Sequence, residues 1–372
     1  MDVNTKQAWV STPLIESRAL SKAAGWYVKH PKLLSNDHLN HNSRVFLKLD
    51  NLQPSGSFKS RGIGNYVLQR LNSRHGAEKA RTHFYAASGG NAGLACVHAA
   101  RMYGYPATVV VPRLAKPAMV AKLQAAGATA VIQHGSNIAE SQAYIERVLL
   151  PQDPGGILVP PFDHPDIWVG NSTVMHEIAE QLEDSAPDVV VCSVGGGGLL
   201  NGIMQALDER EWSDQVQVLA METAGADSLN AAIRAGEVVT LPKITSAATS
   251  LGCVTVSRKT FEYAQRPNVS SLVLEDAEAA KGCCLLFEHE GLMVELTVGV
   301  NVPVCYDGLL QRVLGDRKTL NGESKVVIVC CGGSDIDLER LAAWRDAMME
   351  PVIPNDMPMA AVASLGTTQV AS

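Results

Sequence analysis

Three apolar, β-branched runs in this chain, at residues 82–86, 189–192 and 326–331, each stop at a loop of glycine and serine. That junction constrains the fold more than any other feature. A strand that ends in small residues brings free backbone N–H groups to its C-terminal edge. In α/β sheets that edge is where ligands bind. Further strands are expected at 44–49, 107–111, 130–132 and 216–221, and helices at 61–72, 92–102, 117–126, 138–149, 174–183, 199–207 and 277–288. Strands alternating with helices imply βαβ units and a mostly parallel sheet covered on both faces. The chain has 372 residues. A single core stops growing beyond roughly 250–300 residues, so two domains are expected.

The loops differ in chemistry. Ser88-Gly89-Gly90-Asn91-Ala92-Gly93 offers backbone N–H groups and a hydroxyl at a helix start, a nest suited to a carboxylate, and Asn91 adds an amide for a phenolic or carbonyl oxygen. Its ordinary alternative is a helix cap with glycines for tight packing. Ser193-Val194-Gly195-Gly196-Gly197-Gly198-Leu199 sets four glycines before a helix, which suits a phosphate without any cation. It is neither GxGxxG in a first βα turn nor a loop followed by GK[ST], so the Rossmann and Walker patterns both fail. Val329-Cys330-Cys331-Gly332-Gly333-Ser334-Asp335 ends a strand with a thiol and a hydroxyl, either of which suits the edge of a ring.

Pro54-Ser55-Gly56-Ser57-Phe58-Lys59 supplies what the loops lack. A lysine amine at a helix start is favoured in its neutral form and can trap an aldehyde, whereas alone it reads as a surface side chain. Amine, phosphate cradle, carboxylate nest and ring-edge partner together match the needs of pyridoxal phosphate and an amino-acid substrate.

Composition narrows the partners. A net charge of −7 with no basic run argues against nucleic acid. The eight cysteines, at 96, 192, 253, 283, 284, 305, 330 and 331, show neither CxxC nor zinc spacing and read as buried free thiols. No window approaches 18 unbroken apolar residues, so no membrane span is expected. Met1-Asp2-Val3-Asn4-Thr5-Lys6 lacks the apolar stretch of a secretory signal, which makes the cytosol the expected compartment. Residues 28–43, with histidines 30, 38 and 41, read as an exposed insertion, and 351–372 as a loosely ordered or surface-packed tail.

These runs, with Pro160-Pro161-Phe162-Asp163-His164-Pro165, resemble the L-serine/L-threonine dehydratases of the tryptophan-synthase-β group. The resemblance extends from about Ser11 to about Leu341 and is closer to the single-domain serine dehydratases of animals and fungi than to biosynthetic threonine deaminase. It implies an α/β enzyme of fold type II: two open, mostly parallel twisted sheets covered by helices, with pyridoxal 5′-phosphate between a large domain (1–52 and 164–350) and a small one (53–163). It implies that Lys59 holds the cofactor as a Schiff base and removes the Cα proton. Phe58 would pack on the ring, Asn91 bond the 3′-oxygen, and Gly195, Gly196, Gly197, Gly198 and Leu199 bind phosphate. Cys331 would face the ring nitrogen, and Ser88, Gly89, Gly90, Asn91 and Ala92 would hold the substrate carboxylate. It further implies a monovalent or divalent cation near Glu222, Ala226, Ser250 and Cys253, a role in amino-acid catabolism and gluconeogenesis, and a homodimer.

The activity so implied is elimination of water from L-serine or L-threonine, the released aminoacrylate-type product then hydrolysing to a 2-oxo acid and ammonia. Serine racemase, threonine synthase and β-replacement enzymes share the cofactor and stay open, and a non-catalytic sensor would have had no use for Lys59. A cysteine is a weak partner for the ring nitrogen, which favours prompt elimination over transamination or racemisation. Two departures stand out. Gly89 occupies a place where serine or alanine is usual and is expected to loosen the substrate and slow the reaction. The usual Glu-Pro stretch appears as Glu295-Leu296-Thr297-Val298-Gly299-Val300, keeping only Glu and Gly.

Overall fold

A computed structural model describes residues 6–25 and 44–349. The insertion expected at 28–43 and the tail at 351–372 lie outside the described residues. Among the described residues ten strands form two sheets: β1 (Leu14–Glu16), β2 (Arg44–Lys48), β3 (His83–Ala87), β4 (Ala107–Val111), β5 (Ala130–Gln133), β6 (Gly156–Leu158), β7 (Val189–Ser193), β8 (Gln217–Thr223), β9 (Val269–Leu274) and β10 (Lys325–Val329). The six-stranded sheet runs β1-β2-β10-β7-β8-β9 and the four-stranded sheet β5-β4-β3-β6. Every pairing is parallel except β1 with β2. Strands buried on both faces need continuous apolar runs, which is why Ala107–Val111 and Val189–Ser193 have no exposed position.

Strand order builds the site. β2, β10 and β7 are neighbours and point the same way. Their C-terminal ends therefore release three loops side by side: 49–58 leading to Lys59, 330–334 with Cys331, and 194–197 with the glycines. The loop after β3 comes from the other sheet.

Several bounds differ from the sequence expectation. Lys59 is itself the first residue of the helix Lys59–Asn72. The helix expected at 174–183 runs Pro165–Gln181, with His164 accepting the Asp166 N–H at its start. Its first half, rich in Gly, Asn, Ser and Thr, hides it from a periodicity reading because those residues serve contacts. A Cβ at Gly170 would lie 2.4 Å from the Arg61 carbonyl oxygen, and Asn171 donates to the Gly198 carbonyl at 2.9 Å. The segment 138–149 is α-helical over Ile138–Tyr144 and then a π-helical turn over Ile145–Leu149. β10 stops at Val329, leaving Cys330 and Cys331 in the loop.

Candidate active site

The Lys59 loop and the Cys331 loop are stitched together by their backbones. Ser57 and Gly332 form an isolated antiparallel bridge, Phe58 N–H donates to the Cys331 carbonyl at 2.9 Å, and Gly333 N–H donates to the Gly56 carbonyl at 3.0 Å. Gly56 is required there: its φ is +81°, and a Cβ would stand 3.2 Å from that of Ser334. The Lys59 amine donates to the Pro161 carbonyl and lies 5.2 Å from the centre of the Phe58 ring and 5.9 Å from that of Phe162. Desolvation pulls its pKa from 10.5 down to about 8, against weaker opposing fields from Cys253 and Cys331.

Across from it the glycines present unused donors. Gly195, Gly196 and Gly197 N–H groups engage no backbone carbonyl, and the first N–H groups of the helix Gly198–Glu209 lack intrahelical partners by geometry. The close packing that excludes side chains is explicit. A Cβ at Gly197, where φ is +93°, would lie 1.8 Å from Thr260 Oγ1, and one at Gly196 would lie 2.5 Å from the Phe162 ring. An anion is the natural occupant of such a nest.

Asn91 begins the helix Asn91–Met102 after Gly90, whose N–H lies 3.3 Å from Ser88 Oγ. The Asn91 amide is held on both ends, Oδ1 by the Ser334 hydroxyl and Nδ2 by Glu295, 3.1 Å from Oε1. Gly89 faces Met119 and Val111; a Cβ there would meet them at 3.3 and 3.4 Å. Cys331 is buried, with its thiol 3.9 Å from Ser193 Oγ, and burial followed by the nearby Glu295 charge pushes it well above 9. It is a neutral thiol. Beside these groups opens a cavity of about 320 Å³ whose lining includes Lys116, Ser250, Glu295, Thr297, Asp335 and Trp344.

A family model described as pyridoxal-phosphate dependent enzyme matches residues 6–332. The chain belongs to that family. It is 38% identical over 336 residues to a Mus musculus protein named L-serine dehydratase/L-threonine deaminase, covering 90% of this chain and 94% of that one. It is 39% identical over 336 residues to a Homo sapiens protein named serine dehydratase-like, with the same coverage. Among solved structures, a fungal L-serine ammonia-lyase from Rhizomucor miehei superposes with a TM-score of 0.80 at 33% identity, covering 92% of this chain and all of that one. The fold is that of the fold type II pyridoxal-phosphate enzymes.

The residues present fit that cofactor. An amine with lowered pKa, an unused N–H nest and a buried thiol converge from three neighbouring strands, and the glycines pack so closely on Leu251, Phe162 and Thr260 that a side chain would force the cradle out of shape. Three of the four residues carried for a cation make contacts of their own. The Glu222 carboxylate is buried and accepts the Leu229 and Asn230 N–H groups at 2.8 Å each, and desolvation raises it to about 8. Ser250 instead donates to Glu295 at 2.5 Å, and Cys253 is within electrostatic reach of Lys59. No cluster of three or more His, Cys, Asp or Glu side chains suited to a metal occurs among the described residues.

Sequence reasoning missed Phe162 and Thr260 as shapers of the site, and it read the Ser334 hydroxyl as a ring-edge partner, whereas that hydroxyl holds Asn91 Oδ1. Phe162 was visible as part of the Pro160–Pro165 run, whose His-Pro pair marks a helix start. Thr260 reaches the glycines only through tertiary contact and leaves no local signal.

Proposed function

We propose that the chain is a pyridoxal-phosphate-dependent L-serine ammonia-lyase that also accepts L-threonine. It eliminates water, and the released 2-amino-2-enoic acid is hydrolysed to pyruvate or 2-oxobutanoate and ammonia. The observation that carries this reading is Lys59, an amine held near pH 8 beside four glycines with unused N–H groups.

When bound, pyridoxal phosphate supplies an aldehyde for the substrate amine and a ring that takes up the electron pair left at Cα. In this reading the N–H groups of Gly195, Gly196, Gly197, Gly198 and Leu199 bind its phosphate, Asn91 Nδ2 its 3′-oxygen, Phe58 its ring face and Cys331 its ring nitrogen. The loop of Ser88, Gly89, Gly90, Asn91 and Ala92 orients the substrate carboxylate. Lys59 Nζ, mostly neutral above about pH 8, would take the Cα proton and, as an ammonium, could pass a proton to the β-hydroxyl so that it leaves as water. Because Cys331 is a neutral thiol, it stabilises a protonated ring nitrogen poorly, so elimination outruns reprotonation at Cα.

The reading places the site between a small domain at 53–163 and a large one formed by 1–52 and 164–350. It retains a homodimer and a cytosolic setting as proposals. At Glu222 a cation would share a carboxylate whose two oxygens each accept one N–H and keep a second lone pair.

Incubation of the cofactor-loaded chain with L-serine, L-threonine and O-acetylserine tests the reading. Ammonia with pyruvate from L-serine and ammonia with 2-oxobutanoate from L-threonine are expected. D-serine formed without ammonia, or turnover of O-acetylserine alone, contradicts it.

A further inference from the structure

Glu295 survives from the Glu-Pro stretch yet has no part in the reading above. It precedes the short helix Leu296–Gly299 but makes no side-chain cap to it. Gly299, the other survivor, fixes its backbone: a Cβ there would stand 2.0 Å from the Ala279 carbonyl oxygen, and one at Gly282 would stand 2.0 Å from the Gly299 carbonyl oxygen. The segment is thus locked on the helix Asp276–Glu290.

So placed, Glu295 is 4% exposed and gathers donors from three loops. Oε1 accepts the N–H groups of Ser334 at 3.0 Å and Asp335 at 3.2 Å. Oε2 accepts the Ser250 hydroxyl at 2.5 Å. Asn91 Nδ2 lies 3.1 Å from Oε1 and 3.3 Å from Oε2, and the Ser334 hydroxyl, itself bonded to Asn91 Oδ1, lies 3.3 Å from Oε1. Every one of these partners is neutral.

The consequence concerns Asn91. Turning its amide over would set Oδ1 against two carboxylate oxygens and leave Nδ2 facing a hydroxyl. With Glu295 in place only one orientation is satisfied. One N–H of Nδ2 points at the carboxylate; Nδ2 also lies 3.3 Å from Ser250 Oγ, whose own proton goes to Glu295 Oε2, and the 3′-oxygen would replace that longer contact. Because Ser334 and Asp335 follow Cys331 directly, the same carboxylate also holds the loop that carries the ring-nitrogen partner.

We propose that Glu295 is a positioning residue: one buried carboxylate fixes the Asn91 amide so that its remaining N–H meets the cofactor's 3′-oxygen, and ties that edge of the site to the Cys331 loop. The proposal rests on the cofactor reading of the preceding subsection. In Glu295→Gln, an amide nitrogen would face donors that now meet only acceptors.

The test titrates pyridoxal phosphate into full-length wild type, Glu295→Gln, Glu295→Asp, Asn91→Ala and the double variant Glu295→Gln/Asn91→Ala, without substrate. The dissociation constant and the pH midpoint of the bound cofactor's visible absorbance are followed. Glu295→Gln should bind about tenfold more weakly, the value of one hydrogen bond, and shift the midpoint in the direction that Asn91→Ala does. The double variant should add little to either single change. Glu295→Asp, which keeps the charge, should lie between wild type and Glu295→Gln and remains informative if Glu295→Gln does not fold. A wild-type midpoint in Glu295→Gln while Asn91→Ala shifts, or full additivity in the double variant, overturns the proposal. Failure of the wild type to take up the cofactor overturns the cofactor reading instead.

Discussion

The glycine loop at 195–198 and the charge cluster around Arg61 treat their polar groups in opposite ways. At the loop, side chains are absent and N–H groups stand unused. Around Arg61, two residues beyond Lys59, every strong donor is engaged. Its guanidinium grips Asp50 through Nε at 2.7 Å and Nη2 at 2.8 Å, and Glu177 through Nη1 at 2.5 Å and Nη2 at 2.7 Å. Lys48 adds a bond to Glu177 at 2.6 Å. Burial alone would lower the Arg61 pKa, but the Asp50 and Glu177 carboxylates outweigh it and raise the group; Lys48 stays lowered by burial. Polar groups left open beside a helix start form a surface for a ligand, whereas polar groups closed on each other form a scaffold. One region is left open to a ligand; the other fixes the start of the helix that carries Lys59.

The comparison breaks first at Arg61. Arg61→Met strands the buried Asp50 carboxylate, leaves the part-exposed Glu177 to Lys48 alone, and should cost about 3–5 kcal/mol of stability, read by chemical denaturation. Cofactor affinity should fall less than tenfold in the fraction that stays folded. A large affinity loss with unchanged stability would assign Arg61 to the binding surface instead. Gly197→Ala should show the converse. Its left-handed backbone and the contact with Thr260 cost about 1–3 kcal/mol. The loop must shift, so cofactor affinity should drop about a hundredfold, about 2.8 kcal/mol. Wild-type affinity in a folded Gly197→Ala protein would remove the loop from the phosphate role.

A smaller effect follows from pH. Lys59 titrates near 8 folded and 10.5 unfolded. The neutral amine attacks the aldehyde, so covalent capture of the cofactor should quicken with pH and level off above about 8; stopped-flow absorbance reads this. Levelling near 10.5 would deny the burial of the amine. Between those two values the unfolded chain binds more protons than the folded one. This group's contribution to stability without cofactor therefore rises with pH across that window and is least favourable below it. Smallest of all, Gly89→Ala should raise kcat by about two- to fivefold by restricting the bound substrate, provided Met119 yields to the new methyl. An unchanged rate would show that Gly89 does not loosen the site.

Strands such as Ala107–Val111 and Val189–Ser193 were legible because burial on both faces demands unbroken β-branched residues. β1 and β6 were not, having three residues each, too few to show a period. β9 carries Ser270 and Ser271 in its middle, which interrupts its apolar run. The site residues that announce themselves are those whose chemistry is local, such as Lys59 after a turn or four glycines before a helix. The Arg61 cluster draws partners from residues 12, 48, 50, 173, 177 and 181 and exists only once the chain has folded. Glu295 was visible as a remnant, but its partners lie in three other loops.

The central claim is that the Lys59 amine is the covalent anchor for pyridoxal phosphate. Borohydride reduction of the cofactor-loaded chain, followed by peptide mass spectrometry, tests it directly. A single phosphopyridoxyl label on the peptide containing Lys59, absent from Lys59→Ala, is the expected result. A label on another lysine, or none despite tight cofactor binding, would contradict it.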